Sequence, residues 1–188
     1  MDKEKLKRKF IRGNKKAFDT IYKDYSSAMY SICLRYTKNT DEAADILQDA
    51  FIKVYEKRKT FNPEFQLATW IKRIVINTAI DHYNKNKKVV LIEDNNYFEA
   101  KTEDSIEVDS SVDLKNKLLD TLKLLPDGYR TIFNLYVLDN LTHQEISEYL
   151  NISINTSKSQ LSRARKILKT LLEEQNITNK TATNAERA

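Results

Sequence analysis

THQEISEYLNISINTSKSQLSRARKIL, residues 142–168, decides how this chain is read. Thr142 and Glu145 stand three apart, the spacing of a capping box, in which hydroxyl and carboxylate each take a backbone N–H at a helix start. Ile146, Tyr149 and Leu150 then form an apolar stripe about two turns long. Asn151-Ile152-Ser153 breaks it: Asn tolerates the left-handed backbone of a tight turn, and Ser153 is a good second N-cap. A second helix follows, with Leu161, Ala164, Leu168 and Leu171 or Leu172 at steps of three and four. Its outer positions hold Asn155, Thr156, Lys158, Ser159, Gln160, Ser162, Arg163 and Lys166, with no acid before Glu173. Small hydroxyls and amides can reach base edges, and cations can hold phosphates. Two helices, a three-residue turn and a basic polar second helix predict a helix-turn-helix. A plain helical hairpin with a solvated face would have no reason to exclude acids over nearly five turns.

The rest of the chain sets the context. With 188 residues there is room for one large or two small domains, and 40% hydrophobic residues suffice for a core. Two Gly and two Pro predict an all-α fold, because sheet proteins of this size need more turns. Lys and Arg outnumber Asp and Glu by 32 to 27, which suits a polyanionic partner. Cys33 is the one cysteine, so no internal disulfide forms, and with two histidines a Cys/His zinc site is excluded. Met1–Lys9 is too charged for a signal peptide and no apolar run approaches a membrane span, so a cytoplasmic protein is expected.

Residues 1–13 read as a charged lead-in. From Asn14 a long helix places Phe18, Ile21, Tyr22, Tyr25, Met29, Ile32, Cys33 and Tyr36 in the core, with Cys33 a small buried hydrophobe. Thr40 is the expected N-cap of the next helix, which buries Ala43, Ile46 or Leu47, Ala50, Phe51, Val54 and Tyr55. Its other face carries Asp41, Asp45, Gln48 and Asp49, too poor in further ligands for a metal and readable as a solvated or protein-docking face. Arg58 to Phe65 is a loop, since Pro63 forbids a continuous helix. Phe61 and Phe65 beside Arg58 and Lys59 suit capture of an unstacked base, or simply plug the domain. A third helix, about Leu67 to Asn84, turns Trp70, Ile71, Ile74 and Thr78 inward and ends in Lys85, Lys87 and Lys88.

Val89 to Asp113 holds eight acids against Lys101, a net of −7, so the rest of a chain that totals +5 carries +12. Such a segment buries too little apolar surface to fold alone and reads as a flexible linker. Leu114, Leu118, Leu122 and Leu125 restart a helical stripe that stops at Pro126-Asp127-Gly128, and Tyr129–Leu138 is a further helix. Gln175 to Ala188 reads as a frayed polar tail.

These pieces resemble an RNA polymerase sigma subunit of the extracytoplasmic-function (ECF) group, with region 2 and region 4 domains. Ala17-Phe18, Tyr25, Arg35, Asp41-Glu42-Ala43 and Asp45-Ile46-Leu47-Gln48-Asp49-Ala50-Phe51 resemble that family's first two helices. Phe61-Asn62-Pro63, Phe65, Thr69-Trp70-Ile71, Arg73-Ile74, Asn77 and Ala79-Ile80-Asp81 resemble its promoter-opening segment. Leu125-Pro126, Glu145-Ile146-Ser147, Leu150 to Ser153, Thr156, Lys158-Ser159 and Leu161 to Arg165 resemble its fourth region. The match covers roughly residues 14–173, and three motifs in the right order around a linker make it specific. Asn155 and Ser157 stand where the family usually has Gly and Val, Asn84 where Arg is frequent, and Asn151 where the turn usually has Gly.

The resemblance implies residues 1–88 as a region 2-like domain, 89–112 as the acidic linker, 113–174 as a region 4-like domain and 175–188 as the tail. It implies docking on core RNA polymerase through Asp41, Asp45, Gln48, Asp49 and Ile52. Phe61, Phe65, Trp70, Lys72, Arg73 and Asn77 would meet the −10 element, with a flipped base held in a pocket. Ser153, Asn155, Thr156, Lys158, Ser159, Ser162 and Arg163 would meet the −35 element in the major groove. Promoter DNA and core polymerase are then the partners, and the resemblance allows an anti-sigma factor as a third. No catalytic residue, metal, cofactor, small-molecule substrate or membrane insertion is expected; the chemistry belongs to the polymerase. Two rivals are a helix-turn-helix regulator that acts without polymerase and a helical enzyme. The acidic second helix and aromatic loop disfavour the first, and the lack of a clustered His, Cys or carboxylate set disfavours the second.

Overall fold

The computed structural model describes residues 3–89 and 119–185, with side chains placed for 3–85 and 119–174. All regular structure among them is helical, in two compact units on either side of the acidic segment. The acids of that segment, Leu114 and Leu118 lie outside the described residues, and so do the side chains of Lys87 and Lys88.

The first unit opens with helix α1 (Lys3–Ile11), where the sequence suggested only a charged lead-in. Leu6 and Phe10, four apart, are buried, while Lys3, Glu4, Lys5, Arg8 and Lys9 are exposed. Gly13 ends this helix at φ +79°, its N–H donating to Phe10 O at 2.8 Å while Asn14 N–H donates to Lys9 O at 3.1 Å. That paired closure is a Schellman motif and favours glycine. A Cβ there would also lie 3.2 Å from Arg58 Nε. Asn14 caps helix α2 (Lys15–Tyr36) by accepting from Ala17 N–H.

Helix α3 (Thr40–Glu56) is capped by Asn39, whose side chain accepts from Glu42 N–H at 2.8 Å, rather than by Thr40. Two adjacent residues could each serve, and the amide at 39 is the one whose backbone is extended. A 3₁₀ turn (Lys57–Thr60) and a short loop lead into helix α4 (Leu67–Val89), which runs five residues beyond the expected end. Helices α2, α3 and α4 pack on one another, with Ile21, Cys33, Ala43, Ile46, Ala50, Val54, Ile71 and Val75 almost fully buried between them. Both Ile46 and Leu47 are inward. Burial pushes the Cys33 thiol up to about 12, outweighing a backbone hydrogen bond and nearby Arg35 that pull it down. Tyr22 departs from expectation: it is 44% exposed, with its ring 4.8 Å from that of Phe51.

In the second unit, helical residues 119–123 precede Pro126, and helix α5 (Asp127–Phe133) follows. Arg130, buried, donates to Asp127 Oδ1 at 2.9 Å and to the carbonyls of Lys123 and Leu125, tying the two segments together. The expected helix through Leu138 changes character at Asn134, where a π turn (Asn134–Leu138) takes over. This wider turn keeps Asn134 and Leu135 both inward and leaves Val137 at the surface. Helix α6 (His143–Leu150) carries the complete Thr142/Glu145 capping box. Asn151 adopts the left-handed conformation, φ 52° and ψ 51°. Helix α7 (Ile154–Ala185) starts at Ser153, whose Oγ accepts from Thr156 N–H at 2.9 Å. It continues through most of the expected tail. Leu122, Leu125, Ala164 and Leu168 form one core cluster, with Tyr129, Phe133 and Ile167 against it, and Ile132, Leu135, Ile146 and Leu161 are buried as well. Leu171 is half-buried and Leu172 exposed, which settles which of the two continues the stripe.

Candidate nucleic-acid and protein interfaces

Three surfaces bring together the residues that the sequence singled out. On α3, Asp41, Asp45, Gln48, Asp49 and Ile52 are all exposed. Ile52 is 51% exposed, an apolar side chain at the edge of an acidic strip. It also borders a groove of ≈ 720 Å³ between α2 and α3, lined chiefly by Phe18, Tyr22, Leu47, Phe51, Ile52 and Tyr55. The groove was not legible beforehand, since Tyr22 sits one step after Ile21 and fits the same helical stripe.

The loop before α4 separates its two aromatics. Phe61 is 3% exposed and tilts against Trp70 with ring centroids 5.1 Å apart, so it seals the domain. Phe65 is 67% exposed. The loop that presents it is braced from several sides. Asn62 Oδ1 accepts from Glu64 N–H, Phe65 N–H donates to Asn62 O, and Lys7 Nζ donates to Pro63 O at 2.8 Å. Arg58 belongs to this scaffold: it donates to Tyr55 O at 2.8 Å and lies over the Tyr55 ring. Along α4, Trp70, Arg73 and Asn77 follow at steps of three and four, the spacing of a single helical strip. Arg73 is exposed, and Trp70, Lys72 and Asn77 are half-buried. Lys53 Nζ is paired with Asp81 Oδ2 at 2.9 Å, linking α3 and α4 below this strip.

On α7, Asn155, Lys158, Ser159, Ser162 and Arg163 are exposed, and so is the capping Ser153 before them. Thr156 is half-buried, its Oγ1 2.8 Å from Ser153 Oγ. Ser159 Oγ donates to Thr156 O at 3.1 Å, which leaves its lone pairs for an outside donor. Ser157, by contrast, is completely buried, with its Oγ 2.9 Å from His143 Nδ1. Its spacing of four from Leu161 continues the apolar stripe, a signal that its polar character hides.

No group of three or more His, Cys, Asp or Glu able to hold a metal occurs among the described residues. No helix among them is long and apolar enough to cross a membrane.

The second unit is thus a helix-turn-helix, and with the first it defines a two-part helical protein of the DNA-binding class. Residues 21–89 match the family model for sigma-70 region 2, and residues 115–168 match that for sigma-70 region 4. The ECF RNA polymerase sigma factor SigW of Bacillus subtilis (strain 168) is 32% identical over 173 residues, covering 87% of this chain and 92% of that protein. SigM of the same organism is 33% identical, covering 81% and 93%. The fold is also similar to that of the sigma factor RpoE in its complex with the anti-sigma factor NepR from Bartonella quintana. That likeness has a TM-score of 0.53 at 23% identity, over 84% of this chain and 98% of that one. The chain belongs to the ECF RNA polymerase sigma factors. It therefore serves as a polymerase subunit that binds the core enzyme and recognises promoter DNA through regions 2 and 4, without catalytic chemistry of its own.

Proposed function

We propose that each of the three surfaces has a separate task in that function. The Asp41, Asp45, Gln48, Asp49 and Ile52 face docks on core polymerase, with the adjoining groove receiving apolar side chains of the partner. The observation that carries this is the exposure of Ile52 and Tyr22, 51% and 44%, beside an acidic strip on a basic protein. Apolar side chains at the rim of an open groove are the anchors that protein interfaces cover, and surrounding charge steers the encounter. An anti-sigma factor that covered this groove would block polymerase by simple exclusion.

In the −10 contact, Phe65 stacks on a base displaced from the duplex, with Trp70, Arg73 and Asn77 along the strip behind it and Lys72 beside them. Phe61 has the indirect role of holding Trp70 and the loop in place. In the −35 contact, Asn155, Ser159 and Ser162 meet base edges, Lys158 and Arg163 hold phosphates, and Ser153 and Thr156 fix the start of the helix. The organisation that goes with these tasks is a region 2 domain over 1–88, an acidic linker over 89–112, a region 4 domain over 113–174 and a terminal segment over 175–188.

The docking assignment is tested by Asp45→Arg with Asp49→Arg. Both residues are exposed, so fold and circular dichroism should be unchanged while pull-down of core polymerase is lost. Wild-type capture by the folded variant removes this face from the interface.

A further inference from the structure

The helix-turn-helix contains a polar contact that none of these tasks uses. Ser157 is wholly buried at the start of α7, and its hydroxyl lies 2.9 Å from His143 Nδ1, the first residue of α6. The His143 ring stacks on Tyr136 of the π turn, with centroids 4.4 Å apart and planes 24° apart. Arg165, two turns beyond Ser157 on α7, places its guanidinium 5.8 Å from the centroid of that same tyrosine. The contacts run from the π turn through α6 to α7 and back, so His143 is held by one ring face and one ring nitrogen.

A hydrogen bond is directional where an apolar contact is not. Ser157 stands between Thr156 and Lys158, and two residues before Ser159, so fixing its hydroxyl fixes the rotation of α7 about its own axis. At a side-chain radius of about 5–6 Å, a 10° rotation displaces a tip by about 1 Å. That is enough to lengthen a base hydrogen bond beyond its working range. We infer that His143 and Ser157 form a positioning pair that sets the base preference of the −35 contact, although neither side chain reaches a base. The inference rests on α7 being the helix that enters the major groove.

Protonation gives a second handle on the same pair. Burial, then Lys158, then Arg165 hold the His143 pKa below its ordinary value, and Tyr136 is the other titratable group packed on the ring. Phosphates bound by Lys158 would lift part of that depression. The pKa is then higher in the bound state, so a proton is taken up and affinity rises as pH falls through the histidine range. The bond survives the change, because protonated Nδ1 becomes the donor and Ser157 Oγ the acceptor.

The test uses the full-length chain with purified bacterial core polymerase on a pool of duplexes randomised upstream of the start site. The wild-type protein selects a −35 sequence, and discrimination is its affinity ratio over single-base variants. Ser157→Ala and His143→Leu should each lower that ratio about fivefold, the scale of one neutral hydrogen bond. The double variant should fall no further than either single one. His143→Asn, whose amide can occupy the position of Nδ1, should restore the ratio yet lose the rise in affinity between pH 7.5 and 6. Leu fills the space of the imidazole, so folding is retained and the comparison of Leu with Asn decides the matter even if Ser157→Ala is unstable. Equal ratios for Leu and Asn, or additive losses in the double variant, overturn the inference while leaving base reading by α7 intact. A wild-type protein that selects no upstream sequence overturns both.

Discussion

Phe61 and Trp70 meet with ring centroids 5.1 Å apart, and because Phe61 is 3% exposed this contact closes the first unit beneath the loop that presents Phe65. Two phenylalanines four residues apart therefore have opposite fates. Phe61→Ala removes a core ring and should cost about 3–5 kcal/mol of stability. Phe65→Ala removes an exposed one and should change stability by about 0.5 kcal/mol or less. Its effect should instead be on promoter opening, seen as weaker permanganate reactivity of the bubble. Thermal melts and footprinting on both variants check the division, and wild-type opening by Phe65→Ala would return that residue to an ordinary surface aromatic.

Lys158 and Arg163, both exposed on α7, should contribute through phosphates. Replacing either by Ala should weaken binding to every sequence similarly and lower the log–log salt slope by roughly one unit for each phosphate no longer neutralised. Asn155→Ala should instead alter which −35 sequence is preferred. A uniform weakening across all sequences for all three changes would exclude base reading by this helix.

Cys33 should behave as a thiol throughout the native range. With its pKa raised by burial to about 12, the folded state keeps the proton while the unfolded chain releases it near 8.5. Stability from this source is intact below about pH 8.5 and is lost progressively as pH rises toward 12. Alkylation by iodoacetamide at pH 8.5 should therefore proceed only at the rate of unfolding. Fast modification of the folded protein would place the thiol at the surface.

How much of this was legible in sequence follows from the type of signal each element carries. The turn of the helix-turn-helix was legible because Thr142, Glu145, Asn151 and Ser153 each meet a specific backbone need, and all four do so in the structure. Helix α1 was missed although Leu6 and Phe10 have helical spacing, because six Lys and Arg among the first twelve residues dominate that stretch. The choice of Asn39 over Thr40 turns on one backbone angle, which residue type does not encode. Tyr22 lies on the border of its helical stripe, and whether such a residue faces core or solvent depends on the neighbouring helix. Phe61 and Phe65 sit in a loop, where no period assigns an inner face. The assignment of DNA and polymerase contacts on α3, α4 and α7 rests on family resemblance together with charge, and no periodicity or capping signal in the sequence separates a contact residue from an ordinary exposed one such as Asp45 or Arg163.

As an ECF sigma factor, this chain directs core polymerase to promoters. Purified core polymerase would be given genomic duplex fragments from its own bacterium, with and without the full-length chain, and transcript 5′ ends mapped. Discrete new 5′ ends should appear only when the chain is present, preceded by a shared pair of upstream elements, and should be lost with the Asp45→Arg, Asp49→Arg protein. Identical 5′ ends in both reactions, from a folded chain that still selects duplex DNA alone, would contradict this role and leave a helix-turn-helix regulator in its place.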